Sequence, residues 1–178
     1  MSNKTSLRVA DLPQNTPTSF ELRPNATELD AIKAELDLLG LRKLSFVGKV
    51  EAEGKKDWIL TAKLGATVVQ PCVVTLEPVT TRIDVPVTRT FLAEWADPED
   101  EEFEIPEGDE TEALGTEIDP TQVMIEALSL ALPLYPRKEG AELEKADYTE
   151  PGKQAMTDED AKPFAGLAGL RDALKKDE

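Results

Sequence analysis

The 178-residue chain contains no histidine and a single cysteine, Cys72. The missing histidine excludes Ser-His-Asp and Cys-His nucleophiles and any imidazole general base. One thiol excludes a disulfide framework and every zinc site built from several soft ligands. Aromatic residues make up only 5 % of the chain, so few rings are available to stack on bases. Long apolar runs are also missing. The most apolar stretch, Val123 to Leu134, is interrupted by Glu126 and ended by Pro133, well short of the about 20 residues that a membrane helix needs. The first residues show no basic start leading into an apolar run, so a cytoplasmic location is expected.

Basic residues are in short supply: 20 Lys and Arg face 36 Asp and Glu, a formal net charge of −16. Hydrophobic residues are still 40 % of the chain, enough for the core of one ordinary domain. The charge is concentrated. Residues 97–119 carry twelve acidic side chains and no basic one, whereas Leu41 to Trp95 is slightly basic. Like-charge repulsion, with Pro98, Pro106, Gly108 and Gly115, predicts a solvated, mobile loop over 97–119. The chain thus divides into a core domain over 1–136, which includes the loop, and an extended charged tail over 137–178.

Hydrophobic spacing predicts an α+β fold. Ser6 to Ala10 and Thr16 to Leu22 read as short strands. Thr27 as N-cap, Asp30 in the first turn and Gly40 as terminator bracket a helix with Leu29, Ile32, Leu36 and Leu39 on one face. The period then changes to two. Leu44, Phe46, Gly48, Val50 and Ala52 form one strand, and Trp58, Leu60, Ala62 and Leu64 begin the next. Glu53 to Lys56 turn the chain between them, with Gly65 suited to a bulge and Pro71 to a break. Ile83, Val85, Val87, Phe91, Ala93 and Trp95 share a face of the third strand, with Arg82, Asp84, Thr88, Thr90 and Glu94 opposite. Short turns between consecutive strands imply an antiparallel meander, barrel-like if it closes, packed by two helices. Asp119-Pro120-Thr121-Gln122 starts the second helix, whose Val123, Met124, Ile125, Ala127, Leu128, Leu130 and Ala131 wrap most of its circumference; Pro133 and Pro136 stop it. A short terminal helix follows Pro163, with Phe164, Leu167, Leu170 and Leu174 on one face.

Candidate chemistry is sparse. Cys72 lies in a strand pattern with no cation within eight residues, and reads as a small inert core side chain. The acidic loop lacks the spacing of an EF-hand calcium loop, and its carboxylates come with no pocket elements for glycosidase-type catalysis. Lys43, Lys49, Lys55, Lys56 and Lys63 could line one side of the first hairpin and meet phosphate, while Phe46 and Trp58 are expected in the core rather than as stacking platforms.

Three motifs in order carry a resemblance. Cys72-Val73-Val74-Thr75 leads into Leu76-Glu77-Pro78; the second helix closes in Leu130-Ala131-Leu132-Pro133 with a further Pro136; and Lys162-Pro163-Phe164-Ala165 precedes Leu167 and Leu170. With them the chain resembles the YceD family of large ribosomal RNA subunit accumulation proteins. Many members carry a C-x-x-C pair at this strand end and a histidine or cysteine after the helix, a pattern that looks like a metal site. Here Thr75 takes the second cysteine's place and Arg137-Lys138-Glu139 offers no histidine, so no metal or other cofactor role carries over. The resemblance implies non-enzymatic support of large-subunit rRNA accumulation and ribosome assembly. A strongly acidic loop suits a basic ribosomal protein or pre-ribosomal particle as partner, which makes Asp97, Glu99, Asp100, Glu101, Glu102 and Glu104 the candidate partner-binding residues. The alternative is direct rRNA contact through Lys49, Lys55, Lys56 and Lys63.

Overall fold

A computed structural model describes residues 6–94 and 111–141. Seven strands and two helices run in the order β1 (Leu7–Arg8), β2 (Thr18–Leu22), α1 (Ala26–Glu35), β3 (Gly40–Glu53), β4 (Asp57–Pro71), β5 (Pro78–Leu92), β6 (Thr111–Ala113), β7 (Glu117–Ile118) and α2 (Pro120–Ala131). The fold is α+β, as its hydrophobic spacing predicts. Strands β2-β3-β4-β5-β6 form one sheet, and β1 with β7 a separate two-stranded ribbon. The sheet is open and does not close into a barrel. It is also not wholly antiparallel, because β6 joins β5 in parallel through Thr90↔Thr111 to Leu92↔Ala113.

The long hairpins follow from strict alternation. Along β4, Trp58, Leu60, Ala62, Leu64, Ala66 and Val68 are all buried, and the register Trp58↔Phe91, Ala62↔Val87 and Ala66↔Ile83 stacks them against the same face of β5. Leu44, Phe46 and Val50 continue that face on β3, and Phe20 and Leu22 on β2. Ile32 of α1 and Val123, Met124, Ala127 and Leu128 of α2 join the same core. Each large side chain fully withdrawn from water there contributes about 1.5–3 kcal/mol.

Several local expectations change. The N-cap of α1 is Asn25, whose side chain accepts from the Thr27 and Glu28 amides while Glu28 bonds back to the Asn25 amide. This capping box displaces Thr27 from the cap. The helix ends at Glu35, and Gly40 opens β3 opposite Val69 rather than closing a helix. Leu39 is consequently 56 % exposed. The bulge falls on β3, not at Gly65: Arg42 pairs with Thr67 and Ser45 with Gly65, leaving Lys43 as the extra residue at φ 53°. The far end of the acidic stretch is part of the fold, since β6 and β7 occupy it. For α2, Asp119 accepts from the Thr121 amide and Pro120 takes the first turn, as expected. Leu130 departs from the expected wrap and is 72 % exposed.

Candidate functional site

Cys72 does not lie in a strand. It opens the turn between β4 and β5, fully buried. Its Sγ accepts N–H groups from Val74, Thr75 and Lys138, each at 3.4 Å. The Thr75 hydroxyl bond, followed by these amides, lowers the thiol from 9.0 to about 6 against the opposing effect of burial, because donors aimed at sulfur favour the thiolate. The burial of Cys72 agrees with the expected small core side chain, while the donors around its sulfur favour the thiolate. Lys138, distant in sequence, adds its backbone amide to the donors that Val74 and Thr75 supply locally.

The same turn clamps the chain that follows α2. Val73 donates to the Pro136 carbonyl at 2.9 Å, Gln70 Nε2 to the Pro133 carbonyl at 3.3 Å, and Lys138 Nζ to Glu77 Oε1 at 2.8 Å. Lys138 holds the Glu77 carboxyl below its ordinary range. Within the turn, Cys72 N–H meets the Glu77 carbonyl at 2.7 Å and Leu76 N–H the Cys72 carbonyl at 2.9 Å. Leu76 is held at φ 59° with its side chain 76 % exposed, a backbone region that a bulky residue adopts at a cost. Cys72 and Glu77 thus meet the segment that begins at Pro133, with Leu76 and Pro78 in the same turn, while Ala131 and Leu132 pack beside the core. Pro163 and Phe164 lie outside the described residues. One thiol, one hydroxyl and one ammonium do not fit a tetrahedral zinc site. Among the described residues no three His, Cys, Asp or Glu gather closely enough to hold a metal ion.

The candidate lysines occupy two places. Lys49 and Lys63 project from the face of the sheet opposite the core, whereas Lys55 and Lys56 sit on the three-residue turn beyond Glu53. Lys49 pairs with Glu51 at 2.8 Å and Lys56 with Glu94. On the same open face, beside the β3 bulge, Arg23, Lys43, Ser45, Thr67 and Arg82 line a depression of about 480 Å³. The acidic candidates Asp97, Glu99, Asp100, Glu101, Glu102 and Glu104 lie outside the described residues.

A family profile described as Large ribosomal RNA subunit accumulation protein YceD matches residues 60–171, from β4 through the clamped turn and α2. The chain belongs to the YceD family. No curated protein and no solved structure matches it. The YceD match spans Cys72 and Pro133 to Lys138, the residues that the clamp brings together. No helix among the described residues is long and apolar enough to cross a membrane.

Sequence reasoning missed Arg89. It occupies an inward position of β5, opposite Leu60, with its side chain 11 % exposed, and bonds Glu112 of β6 at 3.2 Å and Glu126 of α2 at 3.0 Å. Burial is the main cause that raises the Glu112 carboxyl, and the Arg89 charge works against it. The signal was a cation at the one inward position between Val87 and Phe91. Arg23 and Arg42 were likewise missed, because they join Lys43 and Arg82 only through sheet pairing.

Proposed function

We propose that this YceD-family protein supports accumulation of large-subunit rRNA as a non-enzymatic factor, holding a basic large-subunit ribosomal protein or a pre-ribosomal particle through its acidic segment. The observation that carries this reading is the concentration of twelve carboxylates and no cation within residues 97–119. The fold supports it. β5 ends at Leu92 and β6 resumes beside it at Thr111, so the chain that holds most of these carboxylates leaves and re-enters at one edge of the sheet. Dense negative charge attracts a basic partner and sets its association rate more than its final affinity.

The test has two levels. Loss of the protein from cells should lower the ratio of large- to small-subunit rRNA in a sucrose gradient, and an unchanged ratio would remove the assembly role. Neutralising Asp97, Glu99, Asp100, Glu101, Glu102 and Glu104 together should weaken capture of a basic large-subunit protein and flatten its salt dependence. Capture that is indifferent to this change would sink the acidic-segment mechanism while leaving the assembly role standing.

A further inference from the structure

We infer that the depression on the open face of the sheet is a binding site for the phosphate backbone of structured RNA. It uses different residues from the acidic segment and does not depend on the capture of a protein. Its walls are Arg23, Lys43 and Arg82 with the hydroxyl-bearing Ser45 and Thr67. Arg42 projects from the same rung as Thr67 and Arg82, and Lys63 lies four positions back along β4, where its charge acts on Asp84. Against these five cations stand Glu21 and Asp84, in a protein whose net charge is −16. Charges farther than about 8 Å are screened at physiological salt, so a phosphate here meets the local excess of cations.

The site is built rather than incidental. Asp84 grips Arg82 through two bonds of 2.7 Å, and Arg82 Nη1 meets the Thr67 hydroxyl at 3.4 Å. The guanidinium is thereby fixed with its Nε–Nη2 edge committed to Asp84, which leaves only its remaining Nη hydrogens to meet a phosphate; Arg23 is likewise paired with Glu21. The bulge gives Lys43 its φ of 53° and re-aims its side chain. Gly65 makes room for the Arg82–Asp84 pair beside the depression: a Cβ there would lie 2.8 Å from Arg82 Nη2 and 3.2 Å from both Asp84 Oδ1 and Ser45 Oγ.

The chemistry favours nucleic acid over a protein partner. The depression holds no aromatic or exposed aliphatic anchor of the kind that fills pockets at the centre of protein interfaces; the one apolar lining residue, Leu44, is buried in the core. The described aromatics of the sheet, Phe20, Phe46, Trp58 and Phe91, all face the core. Single-stranded bases therefore find no stacking platform here, which leaves the backbone of a helical RNA, recognised by shape and phosphate position.

Fluorescence anisotropy with an RNA duplex of about 16 base pairs, followed across about 50 to 200 mM salt, tests this. The unmodified protein should bind, with affinity falling steeply as salt rises. Arg23→Gln with Lys43→Gln should weaken binding roughly tenfold and reduce the logarithmic salt slope by about two. Arg23→Lys with Lys43→Arg should retain binding, and Lys55→Gln with Lys56→Gln should leave it unchanged. Arg23 and Lys43 are both exposed, and thermal melts of each variant check that folding is intact. Three results would overturn the assignment: no binding up to about 100 µM protein, equal loss in the two Gln double variants, or displacement by pyrophosphate but not by salt of the same ionic strength. The last would assign the depression to a small phosphate ligand instead.

Discussion

Strand β4 presents two faces to two different environments, and residues one position apart on it have opposite tasks. Trp58, Leu60, Leu64, Ala66 and Val68 turn inward and are almost wholly shielded from water. Thr61, Lys63 and Thr67, between them, turn to a face on which no described element packs. Hydrophobic burial makes the inward face responsible for stability. Charge and hydroxyl groups on the outward face contribute little to stability, since exposed ion pairs are worth about 0–1 kcal/mol, but they decide what the protein can attract. Substitutions on one face should therefore move the unfolding midpoint, and substitutions on the other the binding.

The strongest way to break the covered face is to add one methyl group. At Gly48 a Cβ would lie 2.4 Å from the Thr61 carbonyl oxygen and 2.5 Å from the Ala62 Cβ. Those are backbone and near-backbone atoms of a strand paired along its whole length, and they cannot move cheaply. Gly48→Ala should cost about 2–3 kcal/mol, read as a lower urea midpoint; an unchanged midpoint would mean that β3 and β4 are not so close. Next comes Arg89, the cation on the apolar side. Arg89→Met keeps the apolar stem but strips Glu112 and Glu126 of their shared partner. The expected loss is about 1–2 kcal/mol, below that of a fully buried pair because those carboxylates are 43 % and 40 % exposed. The Glu112 carboxyl should rise further in an NMR titration, since burial would act unopposed. A Glu112 titration that stays in place would show that Arg89 acts through packing alone.

How much of this was legible follows from where the determining contacts lie. The start of α2 needs only Asp119 and Pro120, and the core face of β4 only the alternation of Trp58 to Val68; both are written locally. The cap of α1 was legible but misassigned, since Asn25 and Thr27 are each followed three residues later by an acid. The Asn25 box prevails, because Asn is the better N-cap and only it has a glutamate rather than an aspartate at the third position. Gly65 attracted the bulge that falls on Lys43, whose sequence carries no bulge signal. Arg89 was readable as an interruption of the apolar alternation. The Cys72 environment was only partly readable, because Val74 and Thr75 are local but one of its amide donors comes from Lys138, and the parallel pairing of β6 hides within an acidic run. Local chemistry thus specified the elements, whereas the candidate sites depend on partners that only the fold assembles.

The Cys72 turn gives a smaller and pH-dependent effect on the rim between the two faces. Its thiol is depressed from 9.0 to about 6, so between those values the unfolded chain binds more protons than the folded one, and stability rises with pH. The contribution is complete above about pH 9 and is lost as pH falls through 6. Cys72→Ser removes the titrating group, so the gain in melting temperature from pH 6 to 9 should shrink relative to the unmodified protein. An identical pH profile would show that the thiol stays protonated despite its three amide donors.

The least disruptive test is the counterpart of Gly48 on the opposite face. A Cβ at Gly65 would also meet a neighbour at 2.8 Å, but that neighbour is the tip of the Arg82 side chain, which can swing aside where a backbone cannot. Gly65→Ala should therefore change stability by less than about 1 kcal/mol. Yet it displaces the guanidinium that Asp84 holds in place at the wall of the depression, so RNA affinity should fall several-fold although no charge has been removed. The two glycines separate the roles of the sheet's faces by the same chemical change. If Gly65→Ala unfolds the protein as readily as Gly48→Ala, the open face is as tightly packed as the covered one. If it alters neither stability nor affinity, the position of the Arg82 guanidinium takes no part in binding.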